Sequence, residues 1–168
     1  MSRLPQDVRV FVLDPHRDGR GAFSEIFRDE WSADTRLIQW NLVHSAAGVL
    51  RGMHVHRRHS DYLTVAAGRM LLGLCDLRRT SPTYRLAAAL ELTPAKAVLI
   101  PPGVAHGFYF AEAAIHIYAV THYWDPDDEL GCLWSDPELQ IPWEVRNPVL
   151  SARDAGLPSL AQLVKELG

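Results

Sequence analysis

The sequence predicts an all-β fold, a sandwich or barrel, closed by one short helix at its C-terminal end. Three observations carry this. Short apolar runs rich in Val, Ile, Leu, Tyr and Phe recur from Val8 to Tyr123, each about as long as a strand. Gly, Pro and Asp break them at intervals of roughly 8–12 residues, the spacing of a multi-stranded β fold. Helical periodicity is confined to the stretch after Ser159. At 168 residues with 48% hydrophobic content, the chain is read as one domain, 1–168, able to bury a core without disulfide or metal staples.

Taken in order, Val8 to Leu13 is a strand ended by Asp14-Pro15, and His16 to Gly21 is a turn freed by Gly19 and Gly21. Phe23 to Phe27 alternates and predicts a strand, Asp29 to Asp34 a helical turn, and Leu37 to Ser45 another strand. Gly48 to Gly68 packs His54, His56, His59 and Asp61 beside Arg51, Arg57 and Arg58. Tyr62 to Ala67 and Met70 to Leu77 flank Gly68-Arg69, a hairpin signal. After a turn at Thr80 to Tyr84, Ala87 to Leu92 and Ala97 to Ile100 are strands joined through Thr93-Pro94. Beyond Pro101-Pro102-Gly103, His106 to Phe110 and Ile115 to Tyr123 continue the pattern, and Trp124 to Pro148 is a long ordered loop. At the end Ser159 caps a helix with Gln162 three residues on and an apolar stripe of Leu160, Leu163, Val164 and Leu167.

A net charge of -3 gives no electrostatic case for nucleic acid. Local cation clusters, Arg51 with Arg57 and Arg58, and Arg78 with Arg79, suit a small phosphorylated ligand. No apolar run approaches the ~20 residues of a membrane span, and Met1 to Val8 lacks a signal-peptide core, so a cytoplasmic protein is expected. Cys75 and Cys132 sit in apolar contexts and read as buried free thiols.

His54 and His56, two apart on a strand, share a face, with Asp61 following and His106 arriving from a second signal. Three imidazoles and a carboxylate suffice for a divalent ion such as Zn, Fe, Mn or Ni, and equally line a barrel with no ion at all. The spacing resembles the cupin signature. Gly48, His54, His56 and Gly68 fall on its first motif, with Asp61 where Glu is usual. Pro101, Gly103 and His106 fall on the second, whose closing Asn is Phe110 here. The resemblance implies the double-stranded β-helix, or jelly roll.

A broader resemblance covers roughly residues 8 to 158. V-L-R-G-M-H at 49–54, D-x-R-G-x-F-x-E at 18–25, Q-W-N at 39–41, D-L-R-R-T-S-P-T at 76–83 and I-P-P-G-V-A-H-G-F at 100–108 follow in order. The aromatic stretch 118–124, W-S-D-P-E-L-Q-I-P-W at 134–143 and L-S-x-x-D at 150–154 complete it. Together they resemble the dTDP-4-dehydrorhamnose 3,5-epimerases, a branch of the cupins. The resemblance implies proton removal beside the C4 ketone of a dTDP-4-keto-6-deoxy sugar and its return on the other face. It implies His54 as base, Asp154 as its partner and Tyr118 as the opposite acid. It implies substrate contacts from Arg51, Gln39, Asn41 and His106, and base stacking by Tyr123 or Trp124. Arg20, Phe23 and Glu25 match a segment that reaches the neighbouring subunit's site, which implies a homodimer. No cofactor is expected on this reading. On a strand Tyr118 would share its face with His116, Val120 and His122.

Two positions depart from the pattern. Where the family has Gln two residues after the base, this chain has His56. Where the family opens the next strand with a Lys thought to hold the enolate oxygen, it has Asp61. Both departures complete the metal set His54, His56, Asp61 and His106. A sugar-nucleotide epimerase, a divalent-metal cupin enzyme and a non-catalytic sugar-nucleotide-binding cupin therefore all stand at this point.

Overall fold

The computed structural model describes residues 3–31 and 36–168. Its strands are β1 (Arg9–Val12), β2 (His16–Asp18), β3 (Gly21–Phe23), β4 (Gln39–Ser45), β5 (Leu50–Val55), β6 (Asp61–Ala67) and β7 (Met70–Asp76), then β8 (Ala87–Leu92), β9 (Lys96–Ile100), β10 (Val104–Tyr109), β11 (Ala114–Val120) and β12 (Leu130–Gly131). Two helices, α1 (Ala152–Ala155) and α2 (Leu160–Leu167), end the chain. Two five-stranded sheets, ordered β1-β9-β6-β11-β4 and β12-β5-β10-β7-β8, make the jelly roll, and β2-β3 is a separate ribbon. Every pairing between these strands is antiparallel.

Three expectations need correction. Gly68-Arg69 is not a hairpin turn, because β6 and β7 lie in different sheets. It is a corner between the sheets. Gly68 has φ +79°, and a Cβ there would stand 2.7 Å from the Ala113 carbonyl oxygen, so only glycine lets the chain turn this closely. The strand expected over Phe23 to Phe27 lies earlier instead, as the β2-β3 hairpin, while residues 24–28 are irregular. The helical turn begun at Asp29 is a short 3₁₀ segment, Asp29–Trp31, and the rest of that expectation falls outside the described residues.

Alternation along the strands divides the burial. Leu63, Val65, Leu72, Leu74, Val98, Ile100 and Phe110 fill one core with side chains from both sheets. A second cluster lies against the other side of β5, β7 and β10. There Met53, Val55, Cys75 and Ala105 are covered by Cys132 and Leu139 of the long loop and by Leu160 and Leu163 of α2. Full burial of each large side chain is worth about 1.5–3 kcal/mol. The α2 stripe and its capping box, Ser159 with Gln162, form as the sequence predicts. Both cysteines are buried and free. Among the described residues no helix is long and apolar enough to cross a membrane.

Candidate active site

The motif Arg51 to His54 sits on β5 where that strand pairs with β10, with His54 opposite His106. Gly52 makes the pairing close. Its φ is +109°, and a Cβ would meet the His106 carbonyl oxygen at 2.7 Å and the Gly107 Cα at 2.8 Å. Arg51 and His54 are thereby held against the strand that carries His106. Between the two sheets opens a cavity of about 420 Å³, lined from one side by Arg51, His54, His106 and Phe108 and from the other by Asp61, Leu63, His116 and Tyr118.

One end of the cavity holds a bonded pair. His54 Nε2 lies 2.7 Å from Asp154 Oδ1. Asp154 is presented by α1, whose first turn is capped by Ser151: the Asp154 backbone N–H donates to Ser151 Oγ at 3.0 Å. Burial pushes the Asp154 carboxyl up, but the hydrogen bond and charge of His54, with hydrogen bonds from Ser151 and the Gly52 backbone, hold the group below its usual value. Tyr118 faces the same cavity from the opposite sheet. Burial raises its phenol, with Asp61 and Glu129 adding to the effect, so it stays protonated near neutrality.

The other end holds a cluster. His56 Nε2, His59 Nε2 and His106 Nε2 stand 3.8, 3.7 and 3.8 Å from one oxygen, Asp61 Oδ2. Each distance exceeds that of a hydrogen bond. All four residues are buried. Burial pushes Asp61 up to about 7 despite His56, and pulls His59 down to about 4. His106 is lowered further in the same direction, by burial and then by the neighbouring imidazoles. His54 does not join this cluster. His56, Asp61 and His106 each offer one ligand atom within 4.8 Å of the others, and His59, grouped with His56 and Asp128, adjoins them with its Nε2 3.7 Å from Asp61 Oδ2. The reason is that His54 is turned to Asp154.

The remaining expected residues divide. Arg51, Gln39 and Trp124 line the cavity. Arg51 Nε donates to Ser45 Oγ at 3.1 Å, and Gln39 Oε1 accepts from the Trp124 backbone N–H at 3.3 Å. Asn41 lies behind Gln39, accepting from its Nε2 at 3.0 Å, while its own Nδ2 is buried without a partner among the described residues. Tyr123 is 71% exposed and is not part of the lining. Nor is His122, because β11 ends at Val120 and the alternation that would have aimed it inward stops there. Arg20, Phe23 and Glu25 lie on or just after the β2-β3 ribbon, outside the lining, with Arg20 paired to Asp18 and Glu25 to Arg28. Sequence reasoning missed Glu129 and Arg153, which meet at the cavity at 2.9 Å, and it gave His59 no place in the ligand set. Glu129 lies in an acidic loop whose fold no local pattern announces. His59 departs from the expected spacing because residues 56–60 bend irregularly between β5 and β6 rather than continuing a strand.

Known proteins resemble this chain over most of its length. The family model described as dTDP-4-dehydrorhamnose 3,5-epimerase matches residues 4–162. The dTDP-4-dehydrorhamnose 3,5-epimerase of Pseudomonas aeruginosa is 35% identical over 159 residues, covering 88% of each chain. That of Neisseria gonorrhoeae is 34% identical over 169 residues, but this chain spans only 52% of its length. A crystal structure of the Legionella pneumophila dTDP-6-deoxy-D-glucose-3,5-epimerase, in complex with dTDP-4-keto-L-rhamnose, superposes with a TM-score of 0.88 at 30% identity, covering 95% of this chain and 91% of that one.

Proposed function

This chain belongs to the dTDP-4-dehydrorhamnose 3,5-epimerase family, a family of isomerases, and on that premise we propose that its substrate is a dTDP-4-keto-6-deoxy hexose, epimerised next to the C4 ketone. The observation that carries this is the His54–Asp154 pair at 2.7 Å, set across one cavity from Tyr118 on the other sheet. Asp154, held ionised, accepts from Nε2–H of His54 and so leaves Nδ1 as the nitrogen able to take a proton. His54 removes the proton from the carbon beside the ketone, and the electron pair moves to the C4 oxygen as an enolate. The enolate collapses as Tyr118 donates its phenolic proton to the opposite face of that carbon. The imidazolium then gives up its proton and the phenolate regains one, restoring both groups for the next turnover.

Arg51 supplies the fixed positive charge on the cavity wall for the diphosphate. Gln39 meets the sugar and His106 walls the cavity beside it, Asn41 steadies Gln39 from behind, and Trp124, with Tyr123 beside it at the rim, offers a face for the nucleotide base. The β2-β3 ribbon, with Arg20, Phe23 and Glu25, lies outside this chain's own cavity, which fits a homodimer in which each ribbon completes the partner's site. Two buried free thiols suit the reducing cytoplasm.

The test is incubation with dTDP-4-keto-6-deoxyglucose in D₂O. Deuterium is expected at C3, C5 or both; none at high enzyme concentration would sink the proposal. His54→Ala should stop exchange, a loss of about 10²–10⁴ for a missing base. Tyr118→Phe should keep exchange and lose net inversion.

A further inference from the structure

We propose that His56, His59, His106 and Asp61 form a binding site for one divalent metal ion beside the His54–Asp154 pair. The carrying observation is how the three imidazoles are held. His56 Nδ1 lies 3.1 Å from the Asp128 carbonyl oxygen, His106 Nδ1 3.1 Å from the Val104 carbonyl oxygen, and His59 Nδ1 3.4 Å from Asp128 Oδ2. The two carbonyl oxygens can only accept, which keeps the ring proton of His56 and His106 on Nδ1, and the Asp128 carboxylate favours the same tautomer of His59. The three Nε2 lone pairs are then left to converge on Asp61 Oδ2, at 3.7–3.8 Å. Among the described residues no side chain donates to Asp61 Oδ2, and a carboxylate facing three such nitrogens suits a cation. Metal-binding histidines use this arrangement, one ring nitrogen tied to a carboxylate or carbonyl and the other free for the ion. Asp128 is itself fixed, accepting the backbone N–H groups of Arg57 at 2.9 Å and Arg58 at 3.2 Å.

Size fits as well. A tetrahedral ion with bonds of about 2.0–2.1 Å sets its ligand atoms about 3.4 Å apart, close to the 3.7–3.8 Å between Asp61 Oδ2 and each Nε2. His56, Asp61 and His106 already offer ligand atoms within 4.8 Å of one another, and His59, which groups with His56 and Asp128, turns toward them to complete the set. Three nitrogens and one oxygen suit Zn²⁺, Co²⁺, Fe²⁺ or Ni²⁺ rather than Mg²⁺ or Ca²⁺. The alternative grouping of His56, His59 and Asp128 is the less suitable one, because Asp128 and both Nδ1 atoms are already engaged with one another and with backbone. His54 stays outside, its Nε2 on Asp154, so base and ion do not compete for one imidazole. If the epimerase reading holds, the ion restores positive charge where the resembling enzymes carry Lys and this chain carries Asp61.

The experiment titrates the full chain, stripped with a chelator, with Zn²⁺ by calorimetry and with Co²⁺ by visible absorption. One equivalent is expected, with the absorption of a four-coordinate Co²⁺. Asp61→Asn and His59→Ala should each weaken binding at least about 100-fold, beyond the usual effect of an outer partner, and His54→Ala should leave it unchanged. Circular dichroism of the metal-free variants checks that they fold, and His59→Ala carries the test should Asp61→Asn fail to. Uptake well below one equivalent overturns the site, as does equal affinity in wild type and variants. A loss in His54→Ala equal to that in Asp61→Asn overturns this ligand assignment. Exchange into substrate is read separately. An ion bound without exchange removes the epimerase reading and leaves the site, whereas exchange without an ion removes the site and leaves the enzyme.

Discussion

The two ends of the cavity use the same side chains in opposite ways. At one end a single imidazole meets a single carboxylate at 2.7 Å, a bonded pair whose carboxyl is held below its usual value. At the other, three imidazoles surround one carboxylate at 3.7–3.8 Å, bonded to none of them, and its pKa is pushed up to about 7. Proximity in sequence does not decide between these states. His54 and His56 are two residues apart, yet one is tied through Nε2 and the other through Nδ1. The tied nitrogen decides what the free one can do: a lone imidazole bonded to a carboxylate is suited to act as a base, and converging imidazoles held at Nδ1 by carbonyl and carboxylate oxygens are suited to hold a cation.

The sharpest way to break the comparison is Asp154→Asn. The isosteric amide keeps the backbone part of the α1 cap, in which the Asp154 N–H donates to Ser151 Oγ. It removes the anion that fixes the His54 tautomer and stabilises its cation. Deuterium exchange should fall by about 10²–10⁴, while Co²⁺ or Zn²⁺ affinity at the far end stays as it was. Equal loss of both would mean the two ends are one network rather than two.

Gly52→Ala attacks what the two ends share. A methyl at φ +109° would press on the backbone of His106 and Gly107 and separate β5 from β10, the strands carrying His54 and His106. We expect a loss of roughly 3 kcal/mol or more in denaturant-measured stability, from backbone strain and overpacking together. Exchange and metal uptake should drop together in the fraction that remains folded. A variant as stable as the parent would show that β5 has room to shift.

How much of this was legible follows from what each feature depends on. Most strands after Gln39 came through because alternation and turn residues are local, and α2 because its cap and stripe are local. The Gly68 corner was misread as a hairpin: a glycine that turns within one sheet and one that turns between two look alike in sequence, and only the packing of both sheets tells them apart. His54, Asp154 and Tyr118 were named through resemblance, since nothing between residues 54 and 154 announces that they meet. The ligand set was read with His54 in it and His59 outside, because strand periodicity was carried past Val55, where the strand stops. Glu129 stayed hidden because its place depends on a long loop crossing β5 through the short strand β12.

The smallest effect sharpens the comparison with a third kind of histidine. His116, on the cavity wall, is buried with Nδ1 unpartnered among the described residues, and its ring stacks on Phe110 at 5.4 Å. Burial, and then the charge of Arg51, lowers its pKa from the ordinary 6.5 to about 4. Its stabilising state is the neutral one. Above pH 6.5 neither folded nor unfolded chain protonates it, so it does not affect stability there. Between 6.5 and about 4 the unfolded chain takes up a proton that the folded chain refuses, so stability falls as pH falls through that window. The full loss is at most about 3 kcal/mol at 1.36 kcal/mol per pKa unit. His116→Phe keeps the ring and removes the titration. Denaturant unfolding of wild type and variant near pH 7 and about pH 5 should show the variant losing less, by roughly 1–2 kcal/mol, because the other histidines titrate in both and cancel in the difference. Parallel loss in the two proteins would assign the acid sensitivity to the cluster around Asp61 instead.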